Sequence, residues 1–309
     1  MSDINYREYG LGCKISGYDP RDYIYDASPD CATTYPISFQ LEKFPIKNQQ
    51  TVNSCCANSV ALMAEIMEYY DTGIKKEFSV GWLYGYRLAT HYKGPGMYNK
   101  ECLETMLKVG DVYVNEFPED LEYSELSKLI SQKKTKCIVE ANKHKIKSYA
   151  KVNTSAAVKK SLYEDKTPVL LSIDVYESFY DIDGSGKYDN VGYNNTGYGH
   201  AMVIVGWTEI NGTGYYVVQN SWGEQWGKNG YCYIPYSSRC ISEMYTCIDI
   251  RNIDKKFSDV TGGKHWGEEA IDKCVRAGLI DGYPDGTFKP NNTITRAEIC
   301  TMFARMLKK

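Results

Sequence analysis

The chain has 309 residues, 43% of them hydrophobic, and a formal charge of −3. That length is generous for one small domain and fits two. The slight acidic excess gives no electrostatic case for a nucleic-acid partner, and the negative mean hydropathy, with no apolar run near the length of a bilayer crossing, predicts no membrane span.

Met1 to Tyr9 has neither a basic region nor an apolar stretch, so it is not a signal peptide. Ser16 to Tyr23 is a polar loop rich in turn residues. Residues 56–70 predict a helix, with Val60, Leu62, Met63, Ile66 and Met67 on a wide apolar face. Phe78 to Thr90 reads as a second helix. Gly94-Pro95-Gly96-Met97 is a turn, after which Cys102, Leu103, Met106 and Leu107 recur at helical spacing. Residues 119–150 are lysine-rich and helical in pattern, with the lysines on a solvated face. Pro168 to Val175 signals a buried strand, and further strands are expected at 201–206, 215–219 and 231–234. Asp181 to Gly186 looks superficially like a calcium loop. It lacks the Asp-x-Asp-x-Asp-Gly spacing and the terminal bidentate glutamate, so it reads as a turn.

The most informative stretch is Asn48-Gln49-Gln50-Thr51-Val52-Asn53-Ser54-Cys55-Cys56-Ala57-Asn58. It sets a glutamine six residues before a cysteine at the mouth of the first helix. A thiol there lies in the positive end of the helix dipole, which favours thiolate. Two registers fit, Gln49 with Cys55 and Gln50 with Cys56. A nucleophile needs a base, and the chain has four histidines. His91 and His144 read as surface or satisfied core residues. His200 stands in Gly197-Tyr198-Gly199-His200-Ala201-Met202, a glycine-rich loop feeding an apolar strand. Asn220-Ser221-Trp222-Gly223 ends the next strand but one turn away, where neighbouring antiparallel strands would set Asn220 beside His200. Cys102, Cys137 and Cys274 read as core. Cys232, Cys240 and Cys247 cluster late and could form one disulfide bridge, whose pairing the sequence does not fix. No CxxC pair occurs, which argues against zinc.

Gln-x5-Cys, a distant Gly-His-Ala and Asn-Ser-Trp-Gly-x2-Trp-Gly-x-Asn-Gly-Tyr together resemble the papain-like cysteine peptidases, with His200 about 145 residues after Cys55. Pro45-Ile46-Lys47-Asn48-Gln49 and Ser54-Cys55-Cys56-Ala57-Asn58 resemble the bacterial branch and favour the Gln49 and Cys55 register. The resemblance implies an α+β, two-lobed fold, with a helical lobe and an antiparallel β lobe over residues 1–250. It implies that Cys55 attacks a scissile carbonyl and that His200 is its ion-pair partner and acid. Asn220 would orient the imidazole, and Gln49 with the Cys55 backbone N–H would form the oxyanion hole. Trp222 would shield the His200–Asn220 bond, and Gly96, Met97, Gly199 and Trp222 would contact substrate. No cofactor and no metal is called for. Only about 45 residues precede Gln49, so no large activation cut is expected.

Residues 251–256 are a charged break. Beyond it, Phe257-Ser258-Asp259-Val260, Gly282-Tyr283-Pro284-Asp285-Gly286-Thr287-Phe288-Lys289-Pro290 and Ile294-Thr295-Arg296-Ala297-Glu298 outline helix, tight turn, helix. Thr295 and Glu298 form a capping box, and Ile299, Met302, Phe303 and Met306 give the last helix an apolar stripe. Residues 257–309 resemble one S-layer homology repeat. That implies binding to an anionic secondary cell-wall polymer through Asp259, Trp266 and Arg296, whose planar fork suits a carboxylate. One repeat has a small core, so self-association or docking on the peptidase lobe would complete the site. The expected function is a wall-attached endopeptidase acting on peptide or protein substrates. The alternatives are an inert wall-binding protein and an acyl transferase on the same fold. The repeat suggests the cell surface or secretion, and the lack of a signal peptide suggests residence in the cytoplasm until release.

Overall fold

In the computed structural model the described residues are 4–17, 19–25, 34–87, 95–118, 123–248, 257–260, 263–276, 279–283 and 285–307. The chain divides into two compact units, Met1–Ile248 and Asp249–Lys309. The charged break at 251–256 and His91 lie outside the described residues.

The strands of the first unit are β1 (Cys13–Lys14), β2 (Phe39–Gln40), β3 (Met97–Tyr98), β4 (Ser148–Lys151), β5 (Val169–Tyr176), β6 (Asn195–Ile210), β7 (Thr213–Gln219), β8 (Tyr231–Pro235) and β9 (Ile241–Ile248). Its helices are α1 (Cys55–Thr72), α2 (Val80–Tyr86), α3 (Asn99–Lys108), α4 (Tyr123–Ala141) and α5 (Ser155–Tyr163). Helices α1 to α4 pack on one another, and α1 also packs on β5 and β6. The strands form one mixed sheet in the order β3-β1-β6-β5-β9-β4, with β2 and β7 also on β6 and β8 on β7. All pairings are antiparallel except β1 with β3.

Helix α1 is buried from Cys55 to Met67, which is why its apolar face is so wide. It ends at Gly73, whose left-handed φ of 72° lets its N–H reach the Tyr69 carbonyl at 2.7 Å. Helix α2 begins at Val80 rather than at the expected Phe78 because Ser79 caps it, and residues 88–90 of the expected helix lie outside the described residues. The buried Ser79 Oγ accepts from Trp82 N–H at 3.0 Å and donates to the Phe117 carbonyl at 2.9 Å. Removing both bonds with Ser79→Ala should cost about 1–2 kcal/mol. Thermal unfolding should then show Tm lower by roughly 2–8 °C; an unchanged Tm would mean the cap contributes nothing.

Two expectations fail here. The helical pattern assigned to residues 119–150 stops at Ala141, and Ser148–Lys151 is strand β4, antiparallel to β9. Its half-buried alternation was masked by the flanking lysines. The bridge expected among Cys232, Cys240 and Cys247 is absent. These cysteines are buried free thiols, as are Cys102 and Cys137, so burial rather than cross-linking explains the cluster.

The second unit centres on Phe257, Val260 and Val275, with Ile271, Ile280 and Phe288 against them. Its helices are α6 (Glu268–Arg276) and α7 (Arg296–Leu307). The capping box forms: Thr295 N–H donates to Glu298 Oε2 at 2.7 Å and Glu298 N–H to Thr295 Oγ1 at 3.2 Å. The apolar stripe of α7 does not close a core. Ile299, Phe303 and Met306 are exposed, Phe303 by 59%.

Candidate active site

Cys55 is the first residue of α1, and the loop before it is tied to the segment after β7. Gln49 N–H donates to the Ser221 carbonyl at 2.9 Å and Gly223 N–H to the Lys47 carbonyl at 3.0 Å. Strand pairing does the rest. Val203 of β6 faces Gln219 of β7, which brings His200 and Asn220 to the same end of the sheet.

His200 Nε2 and Asn220 Oδ1 are 2.7 Å apart. The same Oδ1 accepts from Ser221 N–H at 2.8 Å, which identifies it as the amide oxygen. An amide oxygen only accepts, so His200 Nε2 carries the proton and Nδ1 is the basic nitrogen. Nδ1 makes no conventional hydrogen bond. Burial would raise the Cys55 thiol, but the Cys56 thiol, the His200 imidazole and the Ala201 backbone N–H hold it well below its ordinary value. Transfer of the Cys55 proton to the open Nδ1 gives a thiolate–imidazolium pair, equipped for attack by sulfur followed by protonation of a leaving group from Nδ1. Trp222 is buried and its ring lies 4.8 Å from that of His200, so it keeps water from the histidine.

Because the Cys55 value is depressed, the thiolate persists as pH falls below the usual thiol range, and the acid limb of kcat/KM should lie well below it. Asn220→Ala frees the ring and weakens the ion pair. It should lower kcat/KM roughly 100-fold and move the acid limb to higher pH. A pH profile of the variant checks both; an unmoved limb would deny Asn220 its orienting part.

The remaining expected residues are brought together, but around a segment of the chain itself. Residues 6–16 run as a strap across the site. Tyr6 stacks on Trp222 with centroids 6.1 Å apart and planes at 8°, and Tyr9 lies 5.7 Å from the same ring. Gly10 N–H donates to the Gln50 carbonyl at 2.8 Å, and Met97 N–H to the Gly12 carbonyl at 2.8 Å. Cys13 in β1 registers against both Met97 of β3 and Gly199 of β6. Ser16 N–H donates to Glu243 Oε1 at 2.9 Å. Gly96, Met97, Gly199 and Trp222, expected to meet substrate, therefore meet the strap, and Cys55 is 0% exposed beneath it.

Gln49, the expected oxyanion donor, is engaged with the docked strap. Its Nε2 donates to the carbonyls of Gly10 at 2.9 Å and Val52 at 2.8 Å, while its Oε1 accepts from Ser221 Oγ at 2.6 Å. An oxyanion can recruit this amide only by displacing the Gly10 carbonyl, that is, when the strap leaves. Sequence reasoning missed the strap and Ser221. Ser221 sits inside the Asn-Ser-Trp-Gly motif and was legible there, whereas a two-residue strand at Cys13 has no periodic signal.

In the second unit, Asp259 is used internally. Its carboxylate accepts from Phe288 N–H at 2.9 Å and Lys289 N–H at 2.7 Å, and these bonds lower its pKa. The carboxylate thus ties the segment after the Asp-Gly turn to the start of the unit. Trp266 is 93% exposed, and Arg296 is exposed at the start of α7. A cavity of about 450 Å³ is lined by Tyr283, Lys289, Glu298 and Arg305 among others, but by neither Trp266 nor Arg296.

Residues 40–250 match the model of the papain family cysteine proteases, and residues 256–300 that of the S-layer homology domain. A cysteine protease of Blomia tropicalis is 24% identical over 198 residues, covering 61% of this chain and 56% of that protein. Cell surface glycoprotein 1 of Acetivibrio thermocellus is 48% identical over 69 residues, 22% of this chain and 3% of that protein. The crystal structure of xylellain, a cysteine protease from Xylella fastidiosa, matches with a TM-score of 0.66 at 21% identity, over 79% of this chain and 97% of that one. At that identity the likeness is one of fold. The chain thus spans about half the length of the Blomia protease and a small part of the surface glycoprotein.

Proposed function

From the premise that the chain belongs to the papain family of cysteine proteases and carries an S-layer homology domain at its C-terminus, we propose that it is a cysteine endopeptidase attached to a bacterial cell wall. Cys55 is the nucleophile, His200 the acid and base, and Asn220 the residue that fixes the ring. The observation that carries this reading is the buried Cys55–His200–Asn220 arrangement, in which Asn220 Oδ1 holds Nε2 at 2.7 Å and leaves Nδ1 for the thiolate. An epoxysuccinyl probe should label the reduced chain at Cys55, located by peptide mapping, and the same sample should cleave a peptide library. A chain labelled nowhere and cleaving nothing would favour an inert wall-binding protein.

The S-layer homology domain supports binding to an anionic wall polymer, with Trp266 and Arg296 as the exposed contacts. A surface residence is supported by that domain and by its likeness to cell surface glycoprotein 1 of Acetivibrio and an outer membrane protein of Deinococcus. The exposed stripe on α7 supports self-association of the single repeat. The full chain should behave as an oligomer by light scattering, and Phe303→Asp should reduce its mass to that of one chain. A monomeric wild-type chain would remove self-association from the reading.

A further inference from the structure

Cys56 takes no part in the chemistry above, yet it is fully buried one residue after the nucleophile. Its thiol donates to the Met97 carbonyl at 3.3 Å. Met97 of β3 is also the register partner of Cys13, which sets Cys13 beside Cys56, and Cys55 adjoins Cys56 in the chain. Cys13 belongs to the strap, and its Sγ lies 3.3 Å from Ser172 Oγ. Three thiols from two distant stretches of chain therefore meet where the strap crosses the groove. Packing explains a single buried cysteine. It does not explain why thiols stand on both sides of a contact that must open before any substrate reaches Cys55.

We propose that Cys13 and Cys56 are a redox latch: a disulfide between them ties the strap into the groove over Cys55, and its reduction lets the strap leave. The proposal rests on the reading of this groove as the active site. Cys55 and Cys56 are not the bridging pair. Adjacent α-carbons are about 3.8 Å apart, short of the roughly 4.4–6.8 Å that disulfides span, and successive side chains on a helix diverge. Cys13 approaches from another strand and has no such restriction.

The oxidant is a low-molecular-weight disulfide. The thiolate of Cys13, on an undocked strap, attacks one sulfur of that molecule and expels the first small thiolate, leaving a mixed disulfide on Cys13. When the strap docks, the Cys56 sulfur attacks the Cys13 sulfur and the second small thiolate departs. The departing small thiolate takes up the Cys56 proton. In sum, two protein thiols lose two electrons and two protons, and one small disulfide becomes two small thiols. Burial raises the Cys56 thiol well above its ordinary value, so Cys56 resolves a mixed disulfide delivered by the strap rather than capturing oxidant from solution. The latch would keep the peptidase silent in oxidising surroundings and release it in reducing ones.

The test uses the full chain carrying Cys55→Ala, which removes the nucleophile as a competing site of oxidation. After equilibration with glutathione disulfide, an unreduced digest should yield a peptide joining Cys13 to Cys56, and dithiothreitol should abolish it. In the chain with Cys55 intact, oxidation should lower peptide hydrolysis at least tenfold, reversibly. Cys13→Ser should keep most of its activity at the same poise. Absence of the joined peptide would overturn the latch, as would equal inactivation of Cys13→Ser. The peptide mapping stands even if Cys13→Ser folds poorly. Epoxysuccinyl labelling of Cys55 in the reduced chain separates the two failures: labelling without the joined peptide sinks the latch alone, and the joined peptide without labelling sinks the peptidase reading alone.

Discussion

Replacing Cys55 with alanine should lower kcat/KM by roughly 10⁴-fold or more, since loss of a nucleophile removes the covalent route and leaves only binding and polar stabilisation. The same change at Cys56 should stay within about tenfold, because that thiol contributes only one of the interactions that depress Cys55. The contrast separates the two registers, Gln49 with Cys55 and Gln50 with Cys56, that the doubled residues leave open. It has an electrostatic basis. Cys55 has His200 among the groups that lower its thiol, whereas the groups around the Cys56 thiol are Cys13, Cys55 and the Met97 carbonyl. Steady-state kinetics on the two variants, with probe labelling on each, measure it. Activity surviving in Cys55→Ala and vanishing in Cys56→Ala would reverse the assignment.

Gly12→Val should do the opposite and raise the activity of the reduced full chain. A Cβ on Gly12 would lie 2.1 Å from the Asn53 carbonyl oxygen, and the surrounding atoms are backbone that cannot swing aside. Overpacking of this kind costs about 1–3 kcal/mol, which shifts the docked strap toward the undocked one by roughly 5- to 150-fold. Gly12 does not need a left-handed backbone, so the effect is one of contact, not of backbone strain. The gain should appear in kcat/KM and in the rate at which iodoacetamide alkylates Cys55. The two should rise together, because both require the thiol to be reached. A variant no more active than the parent would mean that the strap does not limit access. A rise in both would identify residues 6–16 as the obstacle to Cys55.

The nucleophile helix, the glycine-rich approach to His200 and the Asn220 segment were legible because each combines a local backbone signal with a reactive side chain. Gly199 permits the close approach of Cys13, β6 is apolar and β-branched after His200, and Trp222 and Trp226 pack behind the site. The strap was not legible. Its strand has two residues, it gains meaning only through partners at Met97 and Gly199, and no spacing within residues 6–16 announces them. Gln49 was recognised as a residue but not as a committed one, since its partners Gly10 and Ser221 lie at opposite ends of the first unit's sequence. The stripe on α7 was legible as apolar, but a period of 3.6 reports that one face is apolar and says nothing about what covers it. The backbone donors that Asp259 accepts from were not legible, since Phe288 and Lys289 lie about thirty residues away.

The strand β6 pairs with β1, β2, β5 and β7, and α1 packs on it as well. This has a consequence for how the chain is made. Residues 13–40 and the nucleophile helix emerge from the ribosome long before residues 195–210 exist. Until then the early segments have no sheet to join and an apolar helix has nothing to cover it. Contacts this distant in sequence make folding slow and leave a nascent chain exposed to aggregation. Cys55 and His200 meet only after the hub strand has been synthesised, so an incomplete chain cannot bring the two side chains together.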